Sequence, residues 1–144
     1  YRRSQGLLFR KDDENFADCI TDFENFFQQV INNPEVHMIN RNRGSGTRVL
    51  LDRYLADQQP SGFFQEAKSH NSVAAAVAQK RADWGFAIRS VAEDSGLGFI
   101  PIQDEEYDFV IPKERLQRPE VARFLSLLEE KDIQKKLAEL GLKT

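Results

Sequence analysis

Along this chain, short apolar runs alternate with stretches in which hydrophobic residues recur every three or four positions. Gln5-Gly6-Leu7-Leu8-Phe9-Arg10 is an apolar run between polar flanks, the pattern of a strand. Ile20, Phe23, Phe26, Phe27 and Val30 then recur at helical spacing, with Thr21 or Asp22 placed to cap the helix. Asn32-Asn33-Pro34 breaks it. Residues 36–39 predict a second strand that includes His37, and residues 40–47 a polar loop. Val49, Leu50, Tyr54 and Leu55 form the stripe of a helix that ends before Gln59-Pro60-Ser61-Gly62.

The second half repeats the alternation. Residues 72–79 are alanine-rich with Val73 and Val77 four apart, a good helix, and 84–88 read as a buried strand. A short helix over 90–94 leads to the apolar run 99–102, and residues 107–112 predict a further strand. Pro119 suits a helix start, with Val121, Leu125 and Leu128 on one face. Ile133, Leu137 and Leu140 line a last helix, which Gly141 ends. Strands alternating with helices predict an α/β domain with a mixed, mostly parallel sheet flanked by helices.

Composition narrows the function classes. The 144 residues carry 20 Lys+Arg against 23 Asp+Glu, a formal charge of -3, so a general nucleic-acid surface is not expected. No run approaches the ~20 apolar residues of a membrane span. One cysteine and two histidines argue against a disulfide framework and against a transition-metal site, so no metal or cofactor is expected. Cys19 is read as a small residue packed under the first helix, the acidic stretch 12–24 as a solvated face, and Trp84, Phe86, Phe63 and Phe64 as core. Tyr1-Arg2-Arg3-Ser4 has no apolar signal region after it and no initiating Met, so it reads as processed or cut from a longer chain.

The segment Arg41-Asn42-Arg43-Gly44-Ser45-Gly46-Thr47-Arg48 holds the most chemistry. It lies between a predicted strand and a predicted helix, where unpaired N–H groups and the helix dipole favour an anion. Its glycines permit close approach of the main chain, its hydroxyls donate, and its three arginines have no acid among them. No Gly-Lys-Ser/Thr follows, so it is not a Walker A loop, and Val49 takes the third glycine position of a dinucleotide fingerprint. The plainer reading, a capped turn with solvated arginines, stands beside it. Ser69-His70-Asn71-Ser72 and Ile88-Arg89-Ser90 are further clusters of this kind, and in a parallel sheet such loops gather along one edge. No Ser/His/Asp set or carboxylate pair emerges, so an enzyme is not expected.

These residues resemble a known family. Asn40-Arg41-Asn42-Arg43-Gly44-Ser45-Gly46-Thr47-Arg48-Val49-Leu50-Leu51-Asp52 is similar to the signature of the periplasmic-binding-protein-like domain related to molybdate-binding proteins. That domain is found behind MoeA-type molybdopterin biosynthesis proteins and behind helix-turn-helix regulators. Ser69 to Val77, Arg81-Ala82-Asp83-Trp84-Gly85, Phe99-Ile100-Pro101 and Tyr107 to Pro112 match in the same order, with Trp84 where such domains usually carry a small residue. The resemblance implies a type II periplasmic-binding-protein-like lobe. Residues 1–112 would be the second lobe with crossover strands 5–10 and 107–112, and 113–144 helices returning toward a first lobe. A two-lobed protein needs about 200 residues or more, so the trailing helices are expected to keep an exposed apolar face and to self-associate as a homo-oligomer.

The function implied is binding or sensing of a small oxyanion such as molybdate or tungstate, in the C-terminal part of a molybdopterin-related or regulatory protein. Ser45, Gly46 and Thr47 would contact the anion. Arg43, His70, Ser72 and Arg89 join them by loop position, and Arg41 and Arg43 are expected at the rim or paired with acids. The implied partners are the ligand and an upstream domain, with neither membrane nor direct nucleic acid. The compartment would be the cytoplasm, with the periplasm as the other choice. A non-catalytic interaction module that keeps the fold without the anion is the alternative, favoured if Trp84 or other side chains fill the cleft.

Overall fold

The first strand forms where the sequence alternates into its apolar run, β1 over Arg2–Phe9. The structure, a computed structural model, describes residues 1–17 and 22–142. Ile20, Thr21 and Cys19, assigned above to the first helix and its underside, lie outside the described residues. The helix α1 runs over Phe23–Asn32, and the Asp22 carboxylate caps it by accepting from the Asn25 N–H. It buries Phe26, Phe27, Val30 and Ile31, each contributing about 1.5–3 kcal/mol of hydrophobic stabilisation.

After α1 the chain forms β2 (Met38–Arg41), α2 (Gly46–Leu55), β3 (Glu66–Ala67), α3 (His70–Ala78), β4 (Trp84–Ile88), α4 (Arg89–Asp94) and β5 (Gly98–Glu106). Two further helices, α5 (Pro119–Glu129) and α6 (Lys131–Glu139), follow. The sheet order is β3-β2-β4-β1-β5. β2 is parallel to both β3 and β4, and β1 is antiparallel to β4, so the sheet is mixed. Alternate strand residues face opposite ways, and two cores result. Leu7, Met38, Trp84 and Phe86 pack with Phe27 and Val30 of α1 and Leu50 and Leu51 of α2. Leu8, Ile39 and Ala87 pack with Val73, Ala74 and Val77 of α3 and Ala92 of α4.

Three sequence expectations are corrected. The second strand is Met38–Arg41 rather than 36–39, because β3 and the residue before it offer partners to its polar end: the Asn40 N–H donates to the Gln65 carbonyl at 2.8 Å and Asn42 to Ala67 at 3.0 Å. His37 therefore precedes the strand, about half exposed. Residues 107–112 are not a strand; β5 extends instead from Gly98 through Pro101 and the acids to Glu106. Proline is tolerated there because β5 is the sheet's edge, and Glu105 and Glu106 pair with Arg3 and Arg2. The acidic stretch is not uniformly solvated, since Asp13 is buried against Arg10 at 2.6 Å.

The described chain divides into two compact units, one of Ser4–Gln103 and one of Tyr1–Arg3 with Asp104–Thr144. The larger holds both cores. Within the smaller, Phe109 packs edge-on against Tyr1, Tyr107 and Phe124, and none of its described residues is buried. Among the described residues no helix is long and apolar enough to cross a membrane.

Candidate functional site

Because β2, β3 and β4 run parallel, their C-terminal ends share one edge of the sheet. From β2 the chain turns into α2 on one face, and from neighbouring β3 into α3 on the other. Adjacent strands whose helices depart to opposite faces open a crevice between their ends. Here it lies between Arg41, the last residue of β2, and its register partner Ala67, the last of β3.

The segment expected as a long loop contracts to a tight turn. Asn40 and Arg41 belong to β2 and are buried, and α2 begins at Gly46. Asn40 is satisfied by donating to the Phe63 carbonyl at 3.2 Å and accepting from the Arg41 N–H at 2.9 Å. Ser45 is the N-cap, its hydroxyl accepting from the Arg48 N–H at 3.2 Å and keeping its own proton to donate. The N–H groups of Gly46 and Thr47, in the first turn, have no intrahelical acceptor. Thr47 is buried at 4% exposure. On the other wall Ser69 caps α3, accepting from the Ser72 N–H at 3.1 Å.

The structure joins some of the expected residues and separates others. The Arg41 guanidinium meets His70 Nδ1 at 2.9 Å, tying the end of β2 to the first turn of α3. Arg41 is thus not at the rim: it is 9% exposed, with Nη2 donating to Asn42 Oδ1 at 3.4 Å. Arg43 does lie at the surface, 3.8 Å from Glu66. Ser72 is engaged locally, its hydroxyl 2.8 Å from that of Ser69. Arg89 opens α4 on the same edge, but its guanidinium lies over the Phe99 ring and 3.7 Å from Glu93. Trp84 does not fill the crevice. It is the first residue of β4, about 13 Å along the strand from Ile88 at the rate of ~3.3 Å per residue, and is fully buried in the core.

Sequence reasoning passed over Arg48. It is 5% exposed, and its Nε donates to Asp52 at 2.7 Å while Nη1 donates to Glu66 at 3.1 Å and to the Arg41 carbonyl at 3.2 Å. Two carboxylates neutralise it, so it is no free cation for a ligand. The i,i+4 spacing to Asp52 was the one local signal of this.

A mixed sheet with hydroxyls, first-turn N–H groups and a buried guanidinium at its switch point has the layout of a lobe of an α/β binding-protein fold. The chain belongs to the PBP superfamily, whose domain profile matches residues 1–129. It is 31% identical over 112 residues to the uncharacterized protein YvgK of Bacillus subtilis (strain 168), a match taking in 74% of this chain and 36% of YvgK. Over 92 residues it is 29% identical to an uncharacterized protein encoded 5′ of the ferredoxin 2Fe-2S gene of Clostridium pasteurianum, covering 63% of this chain and 78% of that one. Among solved structures, a putative phosphate ABC transporter substrate-binding protein with bound phosphate from Clostridium perfringens superposes at a TM-score of 0.67. It shares 13% identity, over 99% of this chain and 69% of that one. An ancestral cationic amino acid solute binding protein superposes at 0.62 with 20% identity, over 99% and 59%. These structural likenesses show the fold, a periplasmic-binding-protein lobe, and the chain spans about three-fifths of the latter protein and about a third of YvgK.

Proposed function

We propose that this chain binds a small tetrahedral oxyanion, molybdate or tungstate, at the C-terminal edge of β2 and β3. The observation that carries this reading is that α2's first turn, with Ser45 and Thr47, and the Arg41–His70 pair lie at this one edge of the sheet. Several donors closing on fully ionised oxygens, among them the charged and buried Arg41 guanidinium and the helix termini with their dipoles, suit such a ligand. The phosphate bound by one structural neighbour is the same shape of anion. The alternative of an interaction module loses the version in which Trp84 blocks the cleft, because Trp84 lies at the other end of β4.

In this reading the chain is the second lobe of a larger cytoplasmic protein, with its molybdenum-cofactor or regulatory module upstream. The apolar faces of α5 and α6, with Leu125 and Leu140 exposed, would rest on a first lobe. Calorimetric titration with molybdate, tungstate, phosphate and sulfate tests it. Heat of binding with molybdate or tungstate, lost in the double variant Ser45→Ala/Thr47→Ala, is expected. Silence toward all four anions defeats the proposal.

A further inference from the structure

The crevice depends on where α2's first turn sits relative to the ends of β2 and β3, and one side chain touches all three. Arg48 belongs to α2, and its backbone N–H is the donor that the Ser45 hydroxyl accepts. Its guanidinium reaches back to the Arg41 carbonyl at the end of β2, to Glu66 in β3, and to Asp52 one turn on in its own helix. The Phe63 ring, from the turn before β3, lies 4.8 Å beneath it. β3 is only two residues long and is an edge strand, so its own ladder holds it weakly.

We infer that Arg48 is the positioning residue of this edge, fixing the anion-binding turn of α2 against β2 and β3 without touching the ligand. Asp52 and Glu66 neutralise its charge, and its planar fork satisfies several acceptors at once, which an ammonium on a flexible stem cannot do. That it serves anion binding rests on the reading above; that it orders the edge does not.

The test compares the full 144-residue chain with Arg48→Met, Arg48→Lys and Leu55→Ala, the last a buried apolar truncation at the far end of α2. Amide exchange is measured without ligand, and molybdate and phosphate are then titrated separately. In Arg48→Met the Asn40 and Asn42 amides, which bond across to Gln65 and to Ala67 of β3, are expected to exchange about tenfold faster relative to Leu7 and Phe86. That is the factor one lost hydrogen bond gives. Arg48→Lys is expected to fall between, and Leu55→Ala to raise all four together. Anion affinity should drop about tenfold in Arg48→Met, as when a residue supporting a ligand-holding group is removed, and hold in Leu55→Ala. Exchange at Asn40 and Asn42 that merely tracks Leu7 and Phe86 in both arginine variants overturns the inference. A wild-type chain that binds neither anion defeats the oxyanion reading instead, and the exchange comparison alone then decides the role of Arg48. Should Arg48→Met not fold, Arg48→Lys carries the same comparison.

Discussion

The Arg41 guanidinium and His70 Nδ1 meet at 2.9 Å, and through them the end of β2 is joined to the first turn of α3. A guanidinium only donates, so this nitrogen is the acceptor and the ring carries its proton on Nε2. Ring nitrogen NMR at neutral pH should therefore show His70 as the Nε2–H tautomer. In Arg41→Met that tautomer preference should weaken, while the exposed ring of His37 stays unchanged. A His70 protonated on Nδ1 in the wild type would contradict the contact.

The two turn glycines at the ends of β2 differ in what surrounds them. Gly62 has a φ of +86° and an added Cβ would lie 2.1 Å from the Met38 carbonyl oxygen, a backbone atom that cannot step aside. Gly44, with a φ of +83°, has nothing within 4 Å of such a Cβ. Gly44→Ala should then cost only the left-handed penalty of about 1–2 kcal/mol. Gly62→Ala should cost several kcal/mol more, since the Met38–Ser61 hydrogen bond at 2.8 Å must also break. Urea unfolding of the two variants measures the difference.

Trp84 contributes its rings to the core, yet its buried Nε1 has no hydrogen-bond partner. Trp84→Phe removes that unsatisfied donor, worth about 1–3 kcal/mol, while opening a small cavity. The two effects oppose, so the net change should stay within about 2 kcal/mol. Trp84→Ala, with no compensating gain of comparable size, should cost about 3–5 kcal/mol. Equal losses from both, measured by chemical denaturation, would contradict the assignment.

At the opposite end of the sheet Arg10 donates to Asp13 and Asp83 at 2.6 and 2.8 Å and to the carbonyls of Val77 and Ala82. Asp83 also accepts the His37 N–H at 2.8 Å, so this knot sets the start of β2 beside β4. Arg10→Met strands two carboxylates and should destabilise the fold by on the order of 2–4 kcal/mol, somewhat below a fully buried pair because water reaches Asp83. Ligand affinity, governed at the far edge, should be unchanged in the folded fraction.

Local patterns read well from the sequence where local physics decides them. The β4 boundaries, the Pro119 start of α5 and the cap before α2 follow from a buried run, a fixed φ and a hydroxyl followed by free N–H groups. What failed was decided by distant partners. Asn40 and Arg41 looked like loop because they are polar, and partners more than twenty positions on, Phe63 and His70, help make their burial tolerable. Residues 107–112 look like a strand by composition, but β5 ends at Glu106, just beyond which the Tyr107 N–H donates to the Tyr1 carbonyl at 2.7 Å. The site residues were picked as types and not as places. The three clusters do share an edge, yet Arg89 and Ser72 are occupied by Phe99 and Ser69, while Arg48 and Glu66 hold the crevice together across eighteen positions.

Amide NMR of the labelled chain during titration with molybdate, with phosphate and sulfate as comparators, locates any anion site at the edge of β2 and β3. Shifts that saturate at Gly46, Thr47, His70 and Asn71, with Trp84 and the α5–α6 segment unmoved, are the predicted result. Saturable shifts elsewhere with none at this edge, or no saturable shift with any of the anions, would contradict it.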